Sequence, residues 1–260
     1  MTRGSAAVAW PEAPAPGPIL ILAALDEELA ALRRMTAVAR RVTIDRCPAD
    51  LGRIEGVPVI LATTGAGAGR ASRGATAILD RLPASRVIVI GLSGGLTPSL
   101  EAGRLLVGRD VVERGVAAPP PDAAWIERTL LKTGATPATF VSSREILCTA
   151  GAKAKAREDL GPGAIAAVDL ESAAFARAAA ARGIPYLALR AISDTAEESL
   201  PLDFNNLRGA DGSVDRRRVA LRALLHPAVI PRLWRLRGRA ALCSENLARA
   251  VRALLAGSAP

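Results

Sequence analysis

The sequence predicts an α/β fold: a single domain on a central mixed, mainly parallel twisted sheet flanked by helices, plus a C-terminal helical extension. Three observations carry this. Runs such as ILILAAL (19–25) and RVIVI (86–90) are apolar throughout, as strands covered on both faces are. They alternate with alanine-rich helical segments, the order that builds a parallel or mixed sheet between helix layers. Acids, glycines and hydroxyls cluster where the runs end, and such sheets gather ligands at the carboxyl ends of their strands.

In chain order, Ile19 to Leu25 is a strand bounded by Pro18 and the triplet Asp26-Glu27-Glu28, which feeds a helix from Glu27 to Arg34. Cys47 to Leu61 reads as a hairpin turning at Glu55-Gly56. The segment TTGAGAG (63–69) opens a small-residue helix running to about Leu82. Arg86 to Ile90 is a buried strand that ends in Gly91-Leu92-Ser93-Gly94-Gly95. Leu105 to Val112 alternates as a strand, Trp125 to Thr133 is a helix, and Ala138 to Ser143 is again a strand. Ala152 to Leu160 is helical, Ala164 to Asp169 leads into a helix from Glu171 to Arg182, and Pro185 to Ala191 is the last core strand. Between Pro231 and Leu255, Leu233, Leu236, Ala240, Leu247, Val251 and Leu254 recur at helical spacing, a stripe expected to pack on the core.

Composition removes several functions. The one histidine, His226, excludes a His-rich metal site and argues against a serine or cysteine triad unless it is itself the base. It stands before Pro227 at a helix end, where a histidine complements the helix dipole, and no catalytic role is assigned to it. Cys47, Cys148 and Cys243 are odd in number and widely spaced, which argues against a disulfide framework or zinc knuckle and fits a reducing cytoplasm. No metal and no organic cofactor is expected. The net charge is +9, yet only seven residues are aromatic, too few for the stacking platforms of a single-stranded nucleic-acid binder. A Rossmann dehydrogenase would need GxGxxG after the first strand and an acid about twenty residues on; neither is present.

What remains is carboxylates, hydroxyls, arginines and backbone. The TTGAGAG amides suit an anion or a ribose, or simply a tight turn, and no GK[ST] follows to make a Walker loop. The 91–95 segment is either a turn or bare backbone for a ligand to approach. Asp169 reads as a helix-dipole partner, whereas Glu171 at the same junction suits the two hydroxyls of a ribose diol. Asp194, at the end of a buried strand, is either a screened general acid or the salt-bridge partner of Arg190. Glu28, Glu171 and Asp194 together, each ending a strand of one sheet, point to catalysis.

In order and spacing, LAALDEELAAL, TGAGAGRASRGATAIL, VIGLSGGL, VDLESAAFA and RAISDTAE resemble the nucleoside phosphorylase/nucleosidase superfamily, most closely its 5′-methylthioadenosine/S-adenosylhomocysteine nucleosidase branch. The similarity runs from Ile19 to about Phe204. The tail from Gly209, DGSVDRRRVALRALLHPAVIPRLWRL after its first two residues, is instead similar to the hopanoid-associated phosphorylase group. The resemblance implies a phosphorylase/hydrolase-like sheet and release of adenine from an adenine nucleoside, adenosylhopane in that group. It implies that Glu28 activates water, that Glu171 holds the ribose diol above Leu170, and that Asp194, oriented by Ser193, protonates purine N7. Phe204 then lines the pocket, Ile146 stands near the place of an aromatic that stacks on the base, and Gly94 and Thr64 contact the substrate. Leu92 departs from the family's serine. A homo-oligomer is implied as well.

The acceptor is left open between water and phosphate. The acidic Leu25–Glu28 loop suits water, while Gly65, Arg70 and Arg73 are the candidate phosphate ligands and the tail resembles a group named for phosphorolysis. The expected organisation is a flexible Pro/Ala-rich lead-in (1–18), a catalytic unit (19–204) and a basic helical extension (205–260) on the same domain. From Arg208 onward the chain carries +8 and before it only +1. The basic tail is a candidate for peripheral contact with the inner membrane face of an otherwise cytoplasmic protein, receiving a lipid-linked substrate there. No nucleic acid is expected as partner.

Overall fold

The structure, a computed structural model, describes residues 17–161, 163–209 and 214–256, so nearly all of the predicted lead-in lies outside the described residues. The chain runs β1 (Ile19–Ala23), α1 (Asp26–Arg34), β2 (Ala37–Ile44), β3 (Cys47–Ile54), β4 (Val57–Thr63), α2 (Ala68–Arg81) and β5 (Arg86–Gly95). It continues through β6 (Leu105–Glu113), β7 (Val116–Ala117), α3 (Ala123–Thr133), β8 (Thr136–Ser142), α4 (Ala150–Glu158) and β9 (Ala166–Asp169). It closes with α5 (Ser172–Ala180), β10 (Tyr186–Asp194), α6 (Arg216–Leu225) and α7 (Ile230–Leu255). The β3–β4 turn falls at Glu55-Gly56, both at positive φ (49° and 79°), which matches the twist of a tight hairpin.

The sheet order is β10-β6-β8-β9-β5-β1-β4-β3-β2, with β7 beside β6. At its centre β4, β1, β5 and β10 are parallel neighbours. Because β10 pairs with both β5 and β6, the strands β5, β10, β6, β8 and β9 close on one another. Alternate residues of the apolar runs feed opposite helix layers, as the two-residue period of a strand requires. Leu20, Leu22, Val87 and Val89 pack with Ala71, Ile78 and Phe175 of α2 and α5. Ile19, Ile21, Ile88 and Ile90 pack with Leu29, Leu32, Leu247 and Val251 of α1 and α7.

Three features differ from expectation. Strand β2 carries arginines and is mostly exposed, so its apolar pattern is faint; backbone pairing to β3 makes it a strand, and its charge guards a sheet edge. The glycine segment 91–95 is the continuation of β5, paired to β10 and β9, rather than a turn. Only the second half of the long α7 is core, through Cys243, Leu247, Val251 and Leu254. Leu233, Leu236 and Ala240, assigned by their spacing to the same buried stripe, line a cavity instead.

Candidate active site

A cavity of about 430 Å³ opens at the carboxyl ends of β1, β5, β9 and β10. It gathers Glu28, Gly94, Ile146, Leu170, Glu171, Ser193, Asp194 and Phe204 from six separated stretches of sequence. Thr64, Gly65, Arg70 and Arg73 lie elsewhere, in an adjoining cleft of about 900 Å³ that shares only Ala24 and Leu25 with the cavity. The phosphate candidates therefore occupy a neighbouring depression, and Thr64, expected to contact the substrate, lies there with them rather than in the cavity.

Glu28 sits in the first turn of α1, where an acid favours the helix dipole. Its Oε2 accepts the amides of Ala24 (3.0 Å) and Leu25 (2.9 Å), and its Oε1 accepts that of Leu92 (2.9 Å). Burial pushes the carboxyl above the ordinary glutamate range, against the pull of Arg190 and these three amides. Gly91 makes the arrangement possible: a Cβ there would stand 2.9 Å from Glu28 Oε1 and 2.7 Å from Arg190 Nη1.

Glu171 Oε1 accepts the Gly67 amide at 2.6 Å. The anion held by the TTGAGAG loop is thus the chain's own carboxylate, presented by a glycine at φ 92° that a side chain would strain. Burial first, then the charges of Asp169 and Glu28, raise Glu171 to about 7. The folded protein consequently holds this proton more tightly than the unfolded chain. The stability so conferred is complete below about pH 4.5 and is lost as pH rises through about 7. Glu171→Gln removes that loss: the variant should melt above the wild type at pH 8 by a margin that shrinks toward pH 5. A melting difference that stays constant across this range in thermal unfolding would contradict the assignment.

Asp169 does more than complement a dipole. It accepts Arg190 Nε at 2.8 Å and Ser142 Oγ at 2.8 Å, and it is bonded to the Ser172 hydroxyl. Arg190 is therefore not the partner of Asp194, since four residues along a strand span about 13 Å. A register shift between Ile192 and Asp194 turns the end of β10 into the cavity. Asp194 Oδ1 accepts from Ser193 Oγ at 2.6 Å, and Oδ2 accepts from Lys153 Nζ. Lys153, on α4, is wholly buried, and the sequence marks it only as part of the helix expected from Ala152 to Leu160. Its one signal is rarity: the chain holds three lysines against 31 arginines, so a lysine is the exceptional cation here. A second residue passed over is Ser93, whose buried Oγ lines the cavity without a hydrogen-bond partner and is available to a ligand.

A mixed α/β sheet gathers four buried carboxylates, Glu28, Asp169, Glu171 and Asp194, around one cavity of small-molecule size at its strand ends. The model of the phosphorylase superfamily matches residues 18–225, and the chain belongs to that family. It is 30% identical over 210 residues to the 5′-methylthioadenosine/S-adenosylhomocysteine nucleosidase of Geobacillus thermodenitrificans, covering 71% of this chain and 86% of the relative. The namesake from a Marinomonas species is 27% identical over 71% of this chain and 88% of its own length. Among solved structures, the nucleosidase of Neisseria meningitidis in complex with methylthio-immucillin-A superposes with TM-score 0.71 at 21% identity, covering 92% of this chain and 98% of that one. The futalosine hydrolase of Helicobacter pylori does so with TM-score 0.71 at 15% identity, covering 92% and 97%. These two share the fold.

Proposed function

We propose that the protein cleaves the N-glycosidic bond of an adenine nucleoside and releases adenine, with water as the acceptor and adenosylhopane, a nucleoside with a lipid 5′ substituent, as the substrate. The observation that carries this is the convergence of three carboxylates with three different environments on one cavity: Glu28 on three amides, Glu171 on Gly67, Asp194 on Ser193 and Lys153. Glycoside cleavage passes through an oxocarbenium-like sugar, so the leaving base must be neutralised and the cation stabilised and captured. In this reading Asp194 protonates N7 and Glu171 accepts from the 2′- and 3′-hydroxyls. Glu28 takes a proton from the attacking water. Hydrolysis is favoured over phosphorolysis because the cavity holds an acid where phosphate would need cations, while Arg70 and Arg73 face the adjoining cleft. The test is base release from methylthioadenosine, adenosine, inosine and an adenosylated hopane, each with and without phosphate. The expected order places the hopane derivative first by kcat/KM; methylthioadenosine first would make this a general nucleosidase.

The lipid end of the reading rests on α6 and α7. Leu221, Leu224, Leu225 and Trp234 are exposed there, and residues 216–244 contain eight arginines and no acid. Such a surface suits the headgroup region of an anionic bilayer. It adjoins the cavity, to which α7 contributes Leu233, Leu236 and Arg237. Among the described residues no helix is long and apolar enough to cross a membrane, so the contact proposed is peripheral. The full chain should co-sediment with phosphatidylglycerol vesicles and much less with phosphatidylcholine vesicles, and Leu224→Glu with Trp234→Glu should weaken that at least about tenfold. Equal sedimentation of both proteins would remove the membrane from the account. A homo-oligomer belongs to the same reading, and sedimentation velocity decides it.

A further inference from the structure

Lys153 is fully buried on α4, and it does not itself line the cavity. Its Nζ has three donors, and each is used: one on Asp194 Oδ2, one on the Thr195 carbonyl (2.6 Å) and one on the Glu198 carbonyl (2.9 Å). Thr195 and Glu198 belong to the loop that follows β10, so the ammonium ties that loop to the end of the strand bearing Asp194. Burying a lysine is costly unless its charge is matched and its donors are satisfied. A helix meant only to cover the sheet would place leucine or alanine at this position. The lysine points instead at the one carboxylate to which base protonation has been assigned.

We infer that Lys153 is the positioning residue for base protonation: it holds Asp194 by Oδ2, leaves Oδ1 with Ser193 to face the base, and supplies the charge against which the Asp194 carboxylate forms. The inference rests on the proposed nucleosidase reading. When the C1′–N9 bond breaks, its electron pair passes into the base, and the proton on the Asp194 carboxyl moves to N7. Adenine then leaves neutral and Asp194 is left as a carboxylate. Lys153 keeps all three of its protons throughout. Its ammonium is fixed before the reaction begins, and it stabilises a charge that grows as the proton leaves Asp194, the arrangement by which a preorganised group lowers a barrier rather than merely binding substrate.

The test uses two variants and two leaving groups. Lys153→Met keeps the length of the side chain, and Lys153→Gln keeps amide donors for the two carbonyls; neither carries the charge. With the adenine nucleoside, both should lose about 10²-fold in kcat with KM within about threefold. With a 4-nitrophenyl riboside bearing the same 5′ group, whose leaving group departs as a stable phenolate and needs no proton, both should stay within about threefold of wild type. Adding Lys153→Gln to Asp194→Asn should cost nothing further with adenine, because the lysine acts through the aspartate. Equal losses on both substrates, or full additivity with Asp194→Asn, would reduce Lys153 to a packing residue. Wild-type rates for both variants would also overturn the inference. A wild-type enzyme that releases no adenine, or an Asp194→Asn variant as fast as wild type, would instead overturn the nucleosidase reading itself.

Discussion

Asp194→Asn should lower kcat for adenine release by about 10²–10⁴-fold, the usual worth of a positioned general acid. The amide keeps an oxygen for Lys153 and a partner for Ser193, so the cavity retains its shape, and a neutral amide stands where the protonated carboxyl stood. The variant should remain folded, because the Thr195 and Glu198 carbonyls still hold Lys153. The loss should be confined to substrates whose base needs a proton: a 4-nitrophenyl riboside should be cleaved nearly as fast as by the wild type. A rate within a few-fold of wild type on the adenine nucleoside would remove Asp194 from the mechanism.

Glu28→Gln should be as damaging and should differ in kind. Attack by water is required whichever base departs, so changing the leaving group should not rescue this variant. Its expected loss is again about 10²–10⁴-fold in kcat. The substitution also reaches the fold, because a carboxylate that accepts three amides is replaced by an amide with one acceptor oxygen, which sets N–H against N–H at Leu92 or at Ala24 and Leu25. Far-ultraviolet circular dichroism and thermal unfolding separate the two effects, since a folded but inactive protein is the expected outcome. Rescue by the nitrophenyl substrate would contradict the assignment of Glu28 to water. The acid side of the pH profile follows from the same pair of glutamates. Burial raises both, Glu171 to about 7, and both are used ionised, so kcat/KM should fall as pH drops below about 7.

The strands and helices of the core were legible because each apolar run has its own period and its own punctuation. ILILA and RVIVI could only be buried on both faces, and Glu55-Gly56 could only turn. Strand β2 was not legible, because it exists by hydrogen bonding to β3 and not by burying a face. The carboxylates of the site could be named because acids at the ends of buried strands are out of place by hydropathy alone. Their partners could not. Arg190 stands four residues from Asp194 and 21 from Asp169, so sequence favours the wrong pair, and the fold brings its guanidinium to Asp169 instead. Lys153 lies 41 residues from Asp194 on a helix with an unremarkable polar pattern, and only the fold brings the two together. The same holds for α7, whose single helical stripe serves the core at one end and the cavity at the other.

The most direct measurement is adenine release by the wild-type protein in phosphate-free buffer, followed by absorbance and by analysis of the sugar product, with Asp194→Asn alongside. The expected result is turnover without phosphate, a free sugar hydroxyl at C1′, no acceleration when phosphate is added, and a variant slower by at least about 10²-fold. Turnover only with phosphate, yielding the sugar 1-phosphate, would contradict water as the acceptor. No base released from any purine nucleoside, with or without phosphate, would contradict the account as a whole.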